Sequence, residues 1–356
     1  MNLTIDAAKL KEALQLVAPL TRRRSTLPIL SNVLLECDGE QLVATATDLD
    51  ARLSVRTDAQ IKTVGRIALP CSLMLNALAF MSGTVTLTAD AKHVATIKAS
   101  GRTLTLHGLP ADDFPPADTL AEPKTIALTP EFVRALEKVA DMAATPDQAR
   151  ANLEGVYVGT DNGKLIAAAS NGKCLSVFRT GIATSDVSFL IPAAASRMLI
   201  SLPFYELLTM RLTDSALEWT TRGWTLQSKA GELPFPEWKS LIPEQSKGFF
   251  QLPMQELRAS LRFAAQESKT TPAVTVEVKD QSVSISNATE SAQSHSEITR
   301  TGGAGNIEFT ISPVYLGRAL DACEADAATI SFTDRVSAFV VSEGNYTSVL
   351  MPMRVS

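Results

Sequence analysis

The chain has 356 residues, of which 45% are hydrophobic and 20% charged, and its formal net charge is −5. Such a length is a prior for two or three domains, and the composition excludes wholesale disorder. The negative balance excludes a bulk-basic nucleic-acid binder but not a local basic face. No apolar run approaches the roughly 20 residues that cross a bilayer.

The opening stretch MNLTIDAAKLKEAL alternates and then turns helical, unlike a cleaved secretory signal. The first third continues with a helix from Leu10 to Val17, then the hairpin-like NVLLECDGEQLVATATDLDARLSV, whose DG pair signals a tight turn. A strand and second helix follow in GRIALPCSLMLNALAF, and alternating strands in TVTLTADAKHVATIKASGRTLTLHGL close the unit. The Pro-rich stretch LPADDFPPADTLAEPKT reads as a connector.

The same order recurs. A helix is predicted from Pro130 to Met142, with Phe132, Leu136 and Val139 on one face. EGVYVGTDNGKLIAAASNGKCLSV carries an NG turn, SFLIPAAASRMLISL the second helix, and LTMRLTDSALEWTTRGWTLQSKAG the closing strands. After the connector ELPFPEWKSLIPEQSKG, a helix is predicted from Met254 to Ala265. AVTVEVKDQSVSISNATESAQSHSEI, EFTISPVYLGRALDAC and ATISFTDRVSAFVVSEGNYTSVLMPM complete a third copy. Pro70, Pro192 and Pro313 fall where a helix's first turn tolerates a missing N–H.

This repetition at a period near 120 residues predicts three domains, 1–120, 121–245 and 246–356. Each also divides into two related halves. The fold class is α+β, with two helices packed on antiparallel sheets in each domain. Positive and negative side chains number 12 and 12, 12 and 14, and 9 and 12 in the three thirds, so no third is basic. An anionic partner therefore requires charge segregated onto one face.

Enzymatic signatures are missing: there is no GxSxG, HExxH, GxxxxGK[ST] or GxGxxG. His93, His107 and His295 are the three histidines, and each reads as a surface or half-buried residue. Asp48 and Asp50 share a strand face but have no third ligand nearby, so they read as a solvated strand end rather than a metal site. Lys173 beside Cys174 favours a thiolate, yet no histidine stands near enough in sequence to act as its base. The four cysteines, Cys37, Cys71, Cys174 and Cys323, lie far apart with no CxxC pair. They are expected to be reduced, mostly buried thiols of a cytoplasmic protein, and no cofactor or metal is called for.

The basic run Arg22, Arg23 and Arg24 follows the first helix. With Lys11, Arg134, Lys138, Arg150, Arg258, Arg262 and Lys269 it is expected to form one phosphate-binding face repeated on three domains. The other unusual stretch is TSVLMPMRVS, apolar to the penultimate residue where chain ends are usually polar. Its methionines beside Pro352 offer an adaptable surface for a short peptide.

TLPILSNVLL at 26–35, ATDLD at 46–50, GRTLTLHGLPADDFP at 101–115, FPEWKSLIP at 235–243 and MPMRV at 351–355 resemble, in this order, the bacterial sliding clamp family, the beta subunit of DNA polymerase III. The resemblance spans the whole chain. It implies a head-to-tail homodimeric ring of six domains that encircles duplex DNA as a non-catalytic processivity factor. It also implies partner contacts with the replicative polymerase and the clamp loader through short peptide motifs. Domains of this size, with a radius of gyration of about 14 Å, leave a hole about 30 Å across when six are arranged in a ring.

By the same resemblance, the peptide pocket comprises Leu153, Ser170, Gly172, Lys173, Cys174, Leu175, Pro236, Ser240, Leu241, Val349, Met351, Pro352, Met353 and Arg354. The dimer interface comprises Thr103, Leu104, Thr105 and Leu106 on one side and Ala264 and Ala265 on the other. Several positions depart from the family pattern: Cys174 replaces an arginine, Ser240 and Ser72 replace basic residues, and Leu104 stands where an aromatic is known. The loop Arg150-Ala151-Asn152-Leu153 lacks the paired tyrosines of some members. A weaker or differently packed seam is expected. The rival readings are a clamp-fold scaffold or second-copy protein with altered peptide partners, and an enzyme using Cys174 or the aspartate pair.

Overall fold

The computed structural model describes residues 1–21, 27–148, 150–204, 207–265, 273–288 and 292–353. In the first third, β1 (Asn2–Asp6) leads into α1 (Ala7–Val17). Next come β2 (Asn32–Asp38), β3 (Gln41–Thr47), β4 (Ala51–Asp58), β5 (Gln60–Thr63) and β6 (Arg66–Pro70). α2 (Cys71–Leu78) precedes β7 (Thr84–Ala89), β8 (Val94–Ala99) and β9 (Arg102–His107).

The middle third opens with β10 (Lys124–Leu128) and α3 (Pro130–Val139), which continues as a 3₁₀ turn through Met142. β11 (Gly155–Asp161), β12 (Lys164–Ser170), β13 (Cys174–Ala183) and β14 (Ser188–Pro192) follow. Then come α4 (Ala193–Ser201), β15 (Leu208–Leu212), β16 (Ala216–Thr220) and β17 (Trp224–Lys229).

The last third has β18 (Gly248–Pro253), α5 (Met254–Ala265), β19 (Val274–Val278), β20 (Ser282–Ala288) and β21 (Gln293–Thr299). β22 (Gly302–Ala304) and β23 (Ile307–Ile311) precede α6 (Pro313–Asp321), and β24 (Ala327–Phe332), β25 (Phe339–Glu343) and β26 (Tyr346–Leu350) end the chain's regular structure. All six expected helices form. Only Pro313 occupies the first helical turn, however; Pro70 caps α2 from outside and Pro192 ends β14.

Local chemistry accounts for these elements. Asp6 caps α1, its carboxylate accepting from the backbone N–H of Ala8 (2.8 Å) and Lys9 (3.3 Å). Leu10, Ala13, Leu14 and Val17 form the buried stripe of that helix at spacings of three and four. At the NG turn between β11 and β12, Asn162 and Gly163 both take positive φ, 50° and 74°, which matches the twist of a two-residue hairpin.

The chain divides into two compact units. One comprises Met1–Leu128 and Leu202–Ala230, the other Thr129–Ser201 and Gly231–Ser356. The middle third is shared because its two halves extend different sheets. In the first unit, β17 pairs antiparallel with β4, Leu226 opposite Leu53, and completes an eight-stranded sheet ordered β10-β15-β16-β17-β4-β3-β2-β6. In the second, β13 pairs with β26, Leu175 opposite Val349, within the nine-stranded sheet β14-β11-β12-β13-β26-β25-β24-β18-β22. Each pairing satisfies a row of N–H and C=O groups that a lone half-sheet leaves open.

Two half-sheets gain no such neighbour. The first unit holds β5-β1-β7-β8-β9 and the second β21-β20-β19-β23. β9 and β21 end their sheets. Aromatic packing anchors the second unit: Phe309 stacks on Phe339 at 3.8 Å, with Phe250 and Phe332 tilted against them. Among the described residues no helix is long and apolar enough to cross a membrane.

Candidate functional site

The end of β12 and the start of β13 build a tight turn. Ser170 Oγ donates to the Cys174 carbonyl (2.7 Å) and accepts from Gly172 N–H (3.1 Å). Asn171 Oδ1 accepts from Lys173 N–H (2.9 Å) and Cys174 N–H (3.0 Å), an Asx turn that leaves Gly172 with φ +82°. That left-handed conformation is natural only for glycine here. The segment after β26 is tied to the same turn, Met351 N–H donating to the Lys173 carbonyl at 3.1 Å.

Under this turn lies an apolar cluster of Leu153, Ile166, Leu175, Val177, Phe235, Trp238 and Val349. Tyr157 stacks on Phe235 with centroids 4.9 Å apart and planes 5° from parallel. Asn152 Nδ2 donates to the Pro234 carbonyl (2.7 Å), which joins the 150–153 loop to the FPEW segment. Leu241 and Met351 are exposed, at 46% and 49%. Pro236, Pro352 and Met353 are half-buried, and Ser240 is exposed with its hydroxyl bonded to the Glu237 carbonyl. Arg354 lies outside the described residues.

The expected pocket residues that are described all fall within the second unit and divide into two kinds. Leu153, Ser170, Cys174, Leu175 and Val349 are buried and form the floor. Gly172, Lys173, Leu241 and Met351 form the accessible rim. Sequence reasoning missed Asn171, Asn152, Phe235 and Trp238, although the last two sit in the quoted FPEW motif. A Cβ at Gly172 would lie 3.8 Å from an Arg150 Nη and 3.9 Å from a Leu153 methyl. Arg150, expected on a phosphate-binding face, therefore stands beside this turn.

The surroundings of Cys174 disfavour a thiolate. Burial pushes its thiol up to about 12, outweighing the opposite pull of Arg318 and Lys173. Asp48 accepts from the N–H groups of Asp50 (3.1 Å) and Ala51 (2.9 Å), while Asp50 pairs with Lys229 at 3.0 Å. The described residues contain no cluster of three metal-ligating side chains.

The expected basic face is only partly basic. On α3, Arg134 donates to both carboxylate oxygens of Glu324 (2.9 and 3.0 Å), and Lys138 joins the same carboxylate at 2.7 Å. Glu131 and Glu343 line the same groove, about 380 Å³ in volume, so its charged side chains sum to negative. Arg258 on α5 donates to the Leu320 and Cys323 carbonyls at the end of α6 and pairs with Asp321. These three cations serve the fold, capping a helix C-terminus or holding a loop. Lys11 and Arg262 carry no ion pair among the described residues, and the Arg262 Nε–H returns to the Arg258 carbonyl. Arg22, Arg23, Arg24 and Lys269 lie outside the described residues.

Of the residues expected at the dimer seam, Thr103 and Thr105 are exposed on β9, and Leu104 is half-buried. Leu106 and Ala264 turn into their own cores, at 4% and 1% exposure. Alternation along β9 and the buried stripe of α5 direct these two side chains inward. Ala265 is half-buried.

Six described helices on antiparallel sheets whose strands pair edge to edge are the arrangement of a clamp fold. Residues 1–119 match the family profile described as DNA polymerase III beta subunit, N-terminal domain. The chain is 25% identical over 374 residues to the beta sliding clamp of Pseudomonas aeruginosa and 27% over 378 residues to that of Caulobacter vibrioides, covering 100% of both chains in each case. Its fold matches crystal structures of the DNA polymerase III beta subunit from P. aeruginosa (24% identity) and the sliding clamp from Bacillus subtilis (20%). Both comparisons give a TM-score of 0.91 over 100% of each chain. Along its whole length the chain is similar to beta sliding clamps, and it shares their fold.

Proposed function

We propose that two copies of this chain close head to tail around duplex DNA and tether the replicative polymerase as it moves. One observation carries the reading: the strand-pairing rule inside the chain is incomplete. The last strand of the middle third, β17, pairs with β4 of the first, and the last strand of the last third, β26, pairs with β13 of the middle. By the same rule β9, the last strand of the first third, takes β21 of a last third. Both end their sheets within the chain, so a second copy supplies the partner at each seam. Twofold symmetry then closes the ring with no open edge at either seam.

Counted along the chain, the ring has six domains, cut near residues 120 and 245 in each copy. Linkage, not tight contact, holds it on DNA, so weak phosphate interactions from cations such as Lys11 and Arg262 suffice and sliding stays free. The rim around Gly172, Leu241 and Met351 receives a short apolar peptide from the polymerase or the clamp loader. Burial of its side chains against the rim supplies the affinity, and Arg150 and Lys173 favour an acidic residue within it. The setting for this work is the cytoplasm.

The test measures mass in solution and retention on DNA together. A dimer that stays on covalently closed circles and is lost after linearisation is expected. Equal retention on both forms, or a protein that is monomeric at every concentration, overturns the reading.

A further inference from the structure

The seam itself has a chemistry that follows from the junction already built inside the second unit. There, the first helix of the middle third meets the segment after the second helix of the last third: Lys138 on α3 donates to the Ala322 carbonyl just beyond α6 at 2.5 Å. The repeat allows this contact to be transferred to the open edges. The buried stripe of α3, Phe132, Leu136 and Val139, has the same spacing as Leu257, Leu261 and Ala264 of α5, so Lys138 corresponds to Phe263. Buried Leu316 and Leu320 of α6 match buried Met74 and Leu78 of α2, so Ala322, two residues after Leu320, corresponds to Phe80.

Both corresponding residues are aromatic, and both are exposed, Phe263 at 51% and Phe80 at 72%. Leu73, on the same α2 face one and a half to two turns before Phe80, is 50% exposed. Two aromatic side chains therefore lie at the positions that the internal junction fills with a polar contact, and Leu73 adds a third exposed apolar side chain close by. α5 packs on β20 and β21, which brings Phe263 to the open edge of its half-sheet. Around these edges the charges are complementary: exposed Lys98 and Arg102 belong to the β8–β9 hairpin, and exposed Glu297 to β21.

We propose that Phe263 of one copy packs against Phe80 of the other, with Leu73 beside them, and that this aromatic contact seals the ring. The inference rests on the head-to-tail reading above and specifies what holds it shut. It replaces Ala264, which is buried in its own core, as the apolar contact on the α5 side. Aromatic side chains fully desolvated at a seam contribute strongly to affinity, and the pair replaces a polar contact without leaving a donor unmatched.

Sedimentation across micromolar to nanomolar concentrations, on the full-length protein, reads the dimer constant. Phe263→Ala and Phe80→Ala are each expected to weaken it tenfold or more, and the double variant by less than the product, because both remove one contact. Exposure of both rings leaves the fold intact. A second readout uses Phe80→Cys with Phe263→Cys in a Cys37→Ser background: mild oxidation is expected to give a covalent dimer, and neither single cysteine variant to do so. If the protein dimerises but either readout fails, this inference falls while the clamp reading stands. If no dimer forms at any concentration, both fall.

Discussion

One Nη of Arg134 donates to both oxygens of Glu324, at 2.9 and 3.0 Å, with Lys138 on the same carboxylate. An acceptor 190 residues along the chain thereby pairs with Arg134, and the same carboxylate takes Lys138, where the repeat pattern expects two unpaired cations. The arrangement resembles a phosphate held by an Arg–Lys pair, with a carboxylate of the chain itself in the phosphate's place.

Glu324→Gln frees both cations. Duplex affinity is expected to rise, and the slope of log affinity against log salt to steepen by up to about 2, since each neutralised phosphate contributes about 0.9. Arg134→Ala in the unaltered background is expected to change the slope little. Fluorescence titration of labelled duplex at several salt concentrations measures both. An unchanged slope in Glu324→Gln would mean that this groove never meets DNA.

The same carboxylate gives a pH dependence. Hydrogen bonds and charge from Lys138 and Arg134 hold Glu324 below the usual carboxylate range. A depressed folded-state value adds stability above the unfolded value that disappears as pH falls through the folded one. Thermal melts of the native protein should therefore lose more stability on acidification below about pH 4.5 than melts of Glu324→Gln. The effect is small, because the group is exposed and screened by solvent.

Floor and rim of the candidate pocket separate by mutation. Leu175 is 2% exposed, and Leu175→Ala is expected to cost about 2–5 kcal/mol of stability through lost burial and a residual cavity. Met351 is 49% exposed, so Met351→Ala should leave the melting temperature nearly unchanged while weakening a polymerase-tail peptide by roughly tenfold. Calorimetry and peptide titration on the two variants decide it. Equal melting losses would contradict the division.

Cysteine chemistry offers a fourth check. With its thiol pushed up to about 12 by burial, Cys174 should resist alkylation at neutral pH, and Cys174→Ala should keep DNA retention. Cys37, half-buried, is expected to react first. Rapid labelling of native Cys174, mapped by peptide mass, would reopen an enzymatic role for it.

Periodicity along the chain was enough to locate all six helices and the hairpins, because a buried stripe at spacings of three and four or an alternation of two is written directly in residue order. α3 and α5 carry it plainly in Phe132–Leu136–Val139 and Leu257–Leu261–Ala264. Turn chemistry was equally local: Asn162-Gly163 needs only its own backbone preferences to reverse the chain. Which residues of the candidate pocket are buried and which are accessible was not legible. Val349 and Met351 are both apolar, and only the pairing of Leu175 with Val349 buries one of them.

The pairing of charges is hidden from the sequence for a related reason. Arg134, Lys138 and Arg258 look like a basic face in one dimension, and their acceptors, Glu324 and the carbonyls at the end of α6, lie far along the chain. By itself the order of residues determined the repeat, the helices and strands, the lack of a recognised catalytic motif and the likeness to sliding clamps. The tertiary structure alone decided which edges remain open, which cations stay free and which apolar side chains face solvent. Those properties depend on long-range pairing of strands and charges, and burial is set by what a neighbour covers rather than by a residue's own chemistry.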